Sequence, residues 1–139
     1  MYPMADIPVF EMSLDYSFND WHPRPLSYHY EMAKKLRTLR DRGVLIIGSG
    51  NMVHNLRLID YDVDARPFPW AVTFDAVLKL HLAVGNHKAI IDYESLGKES
   101  ALAVPTLDHY LPMIYILGLQ EPGEPLFLPM KVCRTPLFP

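Results

Sequence analysis

Apolar residues along this chain fall into two kinds of pattern, and each predicts a different element. Residues 7–14 (IPVFEMSL) and 44–47 (VLII) are short apolar runs without helical spacing. Such runs suit strands, and the unbroken 44–47 run suits an interior strand covered on both faces. Between them, Tyr30, Ala33, Leu36 and Leu39 recur at three- and four-residue spacing. Lys34, Lys35, Arg37 and Arg40 lie largely on other faces, so a helix is predicted over 26–42. Ser27 suits its N-cap and Gly43 its stop. Strand, helix and strand in that order make a βαβ unit with parallel strands.

Further along, Pro69 and Gly85 bracket a helix over 70–84, and a shorter one follows over 86–96 up to Gly97. A third helix is predicted over 106–119, with Thr106 as its cap and Gly118 near its end. Residues 126–132 read as a last strand, placed at an edge by Pro129. Loops over 15–25 and 60–69 separate these elements. The predicted fold class is α/β. Asp60, Asp62 and Asp64 alternate as in a calcium loop, but Ala65 and Ala71 stand where such a loop needs glycine and glutamate. Calcium is excluded there.

Composition narrows the function classes. With 139 residues, half of them hydrophobic, the chain fits one domain, 1–139, with a core of its own. A net charge of −3 offers no basic field for a phosphate backbone, so nucleic acid is not an expected partner. No run reaches the length of a membrane span, and the first residues lack the pattern of a signal peptide. One cysteine, Cys133, fits a reducing compartment, and the cytoplasm is the expected location.

Six histidines carry the candidate chemistry, without an HExxH motif or a zinc-finger framework. His54 lies in Gly48-Ser49-Gly50-Asn51-Met52-Val53-His54-Asn55, directly after the 44–47 run. Glycines there allow close backbone approach, and ligands of open parallel sheets bind at the strands' carboxyl ends. His109 lies in PTLDHYLP, placed by its pattern in the first turn of a helix. The positive end of a helix disfavours protonation, and neutral imidazole is the metal-binding form. Asp108 beside it has the simpler reading of a cap-region carboxylate. Ser49 lacks the GxSxG spacing of a hydrolase nucleophile.

Four segments in register, YPMADIPVFEMSLD, LRDRGVLIIG, SGNMVHNLR and PTLDHYLPMIYILG, resemble the C-terminal half of the 4,5-DOPA extradiol dioxygenases. These are class III ring-cleaving enzymes, and the resemblance runs from residue 1 to about 128. It implies an α/β sandwich with a central mixed sheet, here in partial form. It also implies cleavage of a catechol such as DOPA with O₂ at a non-haem Fe(II) centre, a site that Zn(II) also fits. By the same resemblance His109 is a metal ligand, and His54 is either a metal ligand or the general base. Asn51 and Asn55 are candidates for orienting substrate, or for capping the turn.

The family's HGSPM-type and SAHW-type turns, each with a metal-binding histidine, do not occur in this chain. The tail VCRTPLFP matches nothing in the family. The missing N-terminal half therefore counts as an expected partner. Without it, the alternative function is a non-catalytic fragment or interaction module with a vestigial metal site. Runs such as VLII and YILGL are then expected to be exposed, with a possible dimer through that surface. His54 and His109, 55 positions apart, are expected to converge within ~8 Å, the span of two groups flanking one metal and substrate.

Overall fold

The computed structural model describes residues 4, 6–15, 24–62 and 64–128. Six α-helices are found among them: α1 (Leu26–Lys35), α2 (Arg37–Asp41), α3 (Pro69–Ala83), α4 (His87–Ile91), α5 (Ser100–Ala103) and α6 (Leu111–Leu119). Two 3-10 turns, Leu56–Leu58 and Tyr93–Leu96, complete the regular structure.

α6 is the centre of the assembly. Its sequence, LPMIYILGL, carries no charge, so any face turned to water would expose apolar surface. Leu111, Ile114, Leu117 and Leu119 are buried, in a core shared with Phe74, Leu78, Ile90, Tyr93 and Tyr110. Burial, with a smaller contribution from Tyr93, pushes the Tyr110 hydroxyl well above its ordinary pKa. That hydroxyl donates to the Ile90 carbonyl at 2.9 Å, which satisfies the one polar atom of the ring.

α1 packs along α6 because both supply small residues at the crossing. A β-carbon built on Gly118 would stand 2.6 Å from the Ala33 methyl and 2.7 Å from the Tyr30 carbonyl. The backbones meet there with no room for a side chain. His29 is buried in this interface, with its Nδ1 at 3.2 Å from the Tyr115 hydroxyl. At the far end, Arg37 donates to the Gly118 carbonyl at 2.9 Å and Arg40 to the Leu119 carbonyl at 2.7 Å. These cations satisfy carbonyls that the end of a helix leaves open. Arg40 also pairs with Glu124, and this pairing, before any other cause, holds the Glu124 carboxyl down at about 2.

The helices follow the sequence pattern closely. The helix expected over 26–42 forms as α1 and α2, broken at Leu36, and Gly43 stops it at φ 79°. Ser27 is not its cap; Pro25 occupies that position and offers no side-chain bond. The 70–84 helix forms as α3 with Gly85 at φ 67° behind it, and the 86–96 stretch divides into α4 and a 3-10 turn. The helix expected from Thr106 begins only at Leu111. α5 was not predicted.

The strands and the sheet are overturned. No strand occurs among the described residues, so the structure is not an α/β sandwich with a central mixed sheet. Residues 7–14, 44–47 and 126–128 have no ladder partner, and residues 129–132 lie outside the described residues. An apolar run specifies a readiness to pair, whereas a strand exists only where a neighbour supplies the other half of each hydrogen bond. The two runs flanking α1 and α2 do not supply that neighbour for each other, and the βαβ unit does not form. Residues 48–50 rest instead on the start of α6. A β-carbon on Gly48 would stand 2.8 Å from the Ile116 side chain and 2.9 Å from the Pro112 carbonyl.

Exposure follows from this. Leu45 and Ile47 are more than three-quarters exposed, as is Phe127. A groove of about 670 Å³ runs between residues 44–46, Ile116 and the 119–127 turn. The expected exposure of VLII holds. That of YILGL fails, because Leu117 and Leu119 are buried in the helical core. Among the described residues no helix is long and apolar enough to cross a membrane.

Gly118→Ala tests the α1–α6 contact with an unambiguous sign. Alanine in an open helix position stabilises by up to about 1 kcal/mol over glycine. Here the methyl would collide with α1, and a loss of about 1–3 kcal/mol is expected in urea denaturation. A gain in stability would show that the two helices do not meet at Gly118.

Candidate functional site

The site is built by two backbone bonds and one side-chain bond that tie the loop after residue 47 to the segment before α6. The Asn51 amide donates to the His109 carbonyl at 2.8 Å, and the His54 amide donates to the Ala103 carbonyl at 2.7 Å. Asn55 adds two side-chain bonds. Its Nδ2 donates to the Leu102 carbonyl at 2.8 Å, and its Oδ1 accepts from the Arg57 amide at 3.1 Å, capping the Leu56–Leu58 turn. A β-carbon on Gly50 would fall on the His109 carbonyl, so glycine is required for the loop to come this close.

These anchors bring the two predicted histidines together. The His54 and His109 rings stack with centroids 3.6 Å apart and planes 12° from parallel. Both are partly buried. His109 stands two positions before the first residue of α6, outside the first turn in which its pattern had placed it. Its Nδ1 lies 2.6 Å from Asp108 Oδ2. Burial works to raise the Asp108 pKa, but hydrogen bonds from Thr106 and His109 outweigh it and hold the carboxyl below its ordinary value. Thr106, expected as a helix cap, thus serves Asp108 instead. The His54 pKa is lowered, first by burial and then by the neighbouring His109, against a smaller opposing pull from Asp108. Among the described residues two buried polar atoms here have no hydrogen-bond partner: His54 Nδ1 and Asp108 Oδ1.

The remaining candidates are placed as follows. Asn51 is half-buried beside the pair through its backbone bond to His109. Asn55 has both side-chain atoms committed to backbone, the turn-holding alternative of its two readings. His22 and Cys133 lie outside the described residues. His29, His81 and His87 are engaged elsewhere, with Tyr115, Asn86 and Tyr30. In the 60–64 loop the Asp60 and Asp62 carboxylates accept from the amides two residues on. Asp108 is the residue whose part in the site went unread. Its adjacency to His109 was visible, but the direction of its side chain is a tertiary property.

A metal ion can be tested against this geometry. Among the described residues no group of three or more histidine, cysteine or carboxylate side chains is gathered for one. Imidazole nitrogen binds a metal along its in-plane lone pair at roughly 2.0–2.1 Å. An ion shared by two rings must therefore lie in both planes, and near-parallel planes 3.6 Å apart do not meet within bonding distance. The stack does not fit a shared ion. It fits attachment at one ring with the second alongside.

Known proteins carry the same segments. A curated 4,5-DOPA dioxygenase extradiol of Escherichia coli K12 is 39% identical over 137 residues, covering 94% of this chain and 47% of its own length. The enzymes of that name from Beta vulgaris and Mirabilis jalapa are 35% and 33% identical, each covering 85% of this chain. The chain belongs to the 4,5-DOPA extradiol dioxygenase family. It spans less than half the length of these relatives, from 41% to 47%. No protein-family model matches it. A crystal structure of an uncharacterised Escherichia coli K12 protein, 40% identical, superposes with a TM-score of 0.63 over 71% of this chain and 43% of its own.

The lowered His54 pKa gives a pH prediction. A histidine held neutral by the fold contributes stability that is complete above the unfolded value of about 6.5 and is lost as pH falls through the folded value. The His54 ring-proton shift in an NMR titration should therefore have its midpoint below 6.5. His109→Ala should move that midpoint up, since it removes cover and a neighbouring positive charge. An unmoved midpoint would mean that the two rings are not in contact.

Proposed function

We propose that this chain carries part of the active site of an extradiol dioxygenase that opens a catechol ring with O₂ at a non-haem iron centre. The observation that carries the reading is the stacking of His54 on His109, two residues 55 positions apart that the family resemblance had singled out. In this reading His109 holds the iron through Nε2, the ring nitrogen that Asp108 leaves free. Zinc takes the same imidazole donor. Bound ferrous iron supplies the redox and Lewis-acid chemistry that links catechol to O₂.

The chain's own residues then have distinct tasks. His54 is kept neutral by burial, so it can accept a proton, and its place beside His109 puts it next to whatever His109 holds. A catechol hydroxyl is the natural proton donor in that position. The His54 and Asn51 amides, bonded to Ala103 and His109, hold the base in register with the ligand. Asn51 is the better placed of the two asparagines to meet a substrate, because Asn55 is spent on the loop itself.

The further ligands come, in this reading, from the half of the relatives' length that this chain does not match. A second reading, a non-catalytic module with a vestigial metal site, is favoured by one observation: the stacked rings present donors for attachment at a single ring. Two measurements decide between them. Ferrous iron binding by calorimetry should be weak for this chain alone and lost in His109→Ala. Adding the unmatched half of a curated relative as a separate polypeptide should restore tight binding and catechol-dependent oxygen uptake. His54→Ala in that mixture should cost about 10²–10⁴-fold in rate, the usual worth of a positioned base. Iron binding indifferent to His109, or no gain from the added half, would leave the vestigial module.

A further inference from the structure

From the contacts around residue 108 we infer that Asp108 is a positioning residue that fixes the tautomer of His109, with hydrogen on Nδ1 and the lone pair on Nε2. An ionised carboxylate can only accept, so a 2.6 Å contact between Asp108 Oδ2 and His109 Nδ1 places the proton on that nitrogen. Thr106, two positions earlier, helps hold the same carboxyl below its ordinary pKa, against the opposing effect of burial. The arrangement is held from both ends. The His109 carbonyl receives the Asn51 amide, and the stacked His54 ring blocks rotation toward one face. The second oxygen, Asp108 Oδ1, is buried and has no hydrogen-bond partner among the described residues.

The consequence is a single donor direction. A histidine side chain free in water favours hydrogen on Nε2, the opposite form. With Asp108 in place, the Nε2 lone pair is presented without a tautomer exchange. The consequence for a metal rests on the proposed function, whereas the tautomer does not. The two are measured separately.

Long-range nitrogen–proton correlation spectra of the nitrogen-15-labelled, metal-free chain at about pH 8, above the ordinary histidine range, read the tautomer directly. The expected result is His109 with its proton on Nδ1 in the unaltered chain. Asp108→Ala should move it to Nε2, and Thr106→Val should give a mixture. His109 with hydrogen on Nε2, or on both nitrogens, in the unaltered chain would overturn the inference without recourse to any variant. Zinc affinity by calorimetry is the second readout: Asp108→Ala should weaken it about 10–100-fold, and Asp108→Asn, which keeps an acceptor oxygen, by less. A tautomer that responds while zinc affinity does not would retain Asp108 as the positioning residue and remove His109 from the metal site.

Discussion

Asn51 donates its amide to the His109 carbonyl, and this bond requires glycine at position 50. A β-carbon there would stand 2.3 Å from the carbonyl oxygen, too close for the approach to survive. Everything at the site follows from that approach. It fixes where the loop turns back, so that three residues later His54 reaches the Ala103 carbonyl and its ring falls on His109. A side chain at Gly50 would force the loop and the His109 carbonyl apart, because backbone cannot yield as the end of a flexible side chain can. The glycine turn is therefore a device for bringing backbone to backbone, rather than a source of unusual torsion angles, since Gly50 is not among the positive-φ glycines.

The surface that receives the loop is rigid for a separate reason. α6 is apolar along its whole length and is held by α1 through the Gly118–Ala33 contact, by the Tyr110 hydroxyl on Ile90, and by Arg37 and Arg40 on its last carbonyls. Residues 106–110, which lead into it, inherit that fixity. The Tyr110 and Leu111 amides both bond the Leu107 carbonyl, closing the turn that carries Asp108 and His109. A buried helix thus positions the polar groups just before its first residue. His109 stands two positions before the helix, outside the first turn in which its pattern had placed it.

How much of this was legible in sequence divides along the range of the interactions involved. Helices depend on contacts three and four residues apart, so the spacing of Tyr30, Ala33, Leu36 and Leu39 and the stop at Gly43 gave α1 and α2 directly. Strands depend on partners that local pattern cannot name, and VLII remained an apolar run with Leu45 and Ile47 exposed. The pairing of His54 with His109 is also long-range, yet it was anticipated. Motif resemblance carries tertiary information that periodicity lacks. Asp108 shows the limit of both: neither spacing nor motif says whether a carboxylate caps a helix or turns toward its neighbour's ring.

Stacking also constrains what the histidine pair can do electrically. Two imidazoles at van der Waals distance cannot both carry a proton cheaply, because their charges would repel across a partly buried contact. Among the described residues, Asp108 is the one carboxylate hydrogen-bonded to either ring, and its bond goes to His109. The His54 pKa is depressed, first by burial and then by the neighbouring ring. A pair built this way has one ring oriented by a carboxylate and the other left with an unsatisfied buried nitrogen. That division separates a group that presents a fixed lone pair from a group able to take up a proton. It arises here from which ring the carboxylate reaches, and requires no difference in residue type between the two.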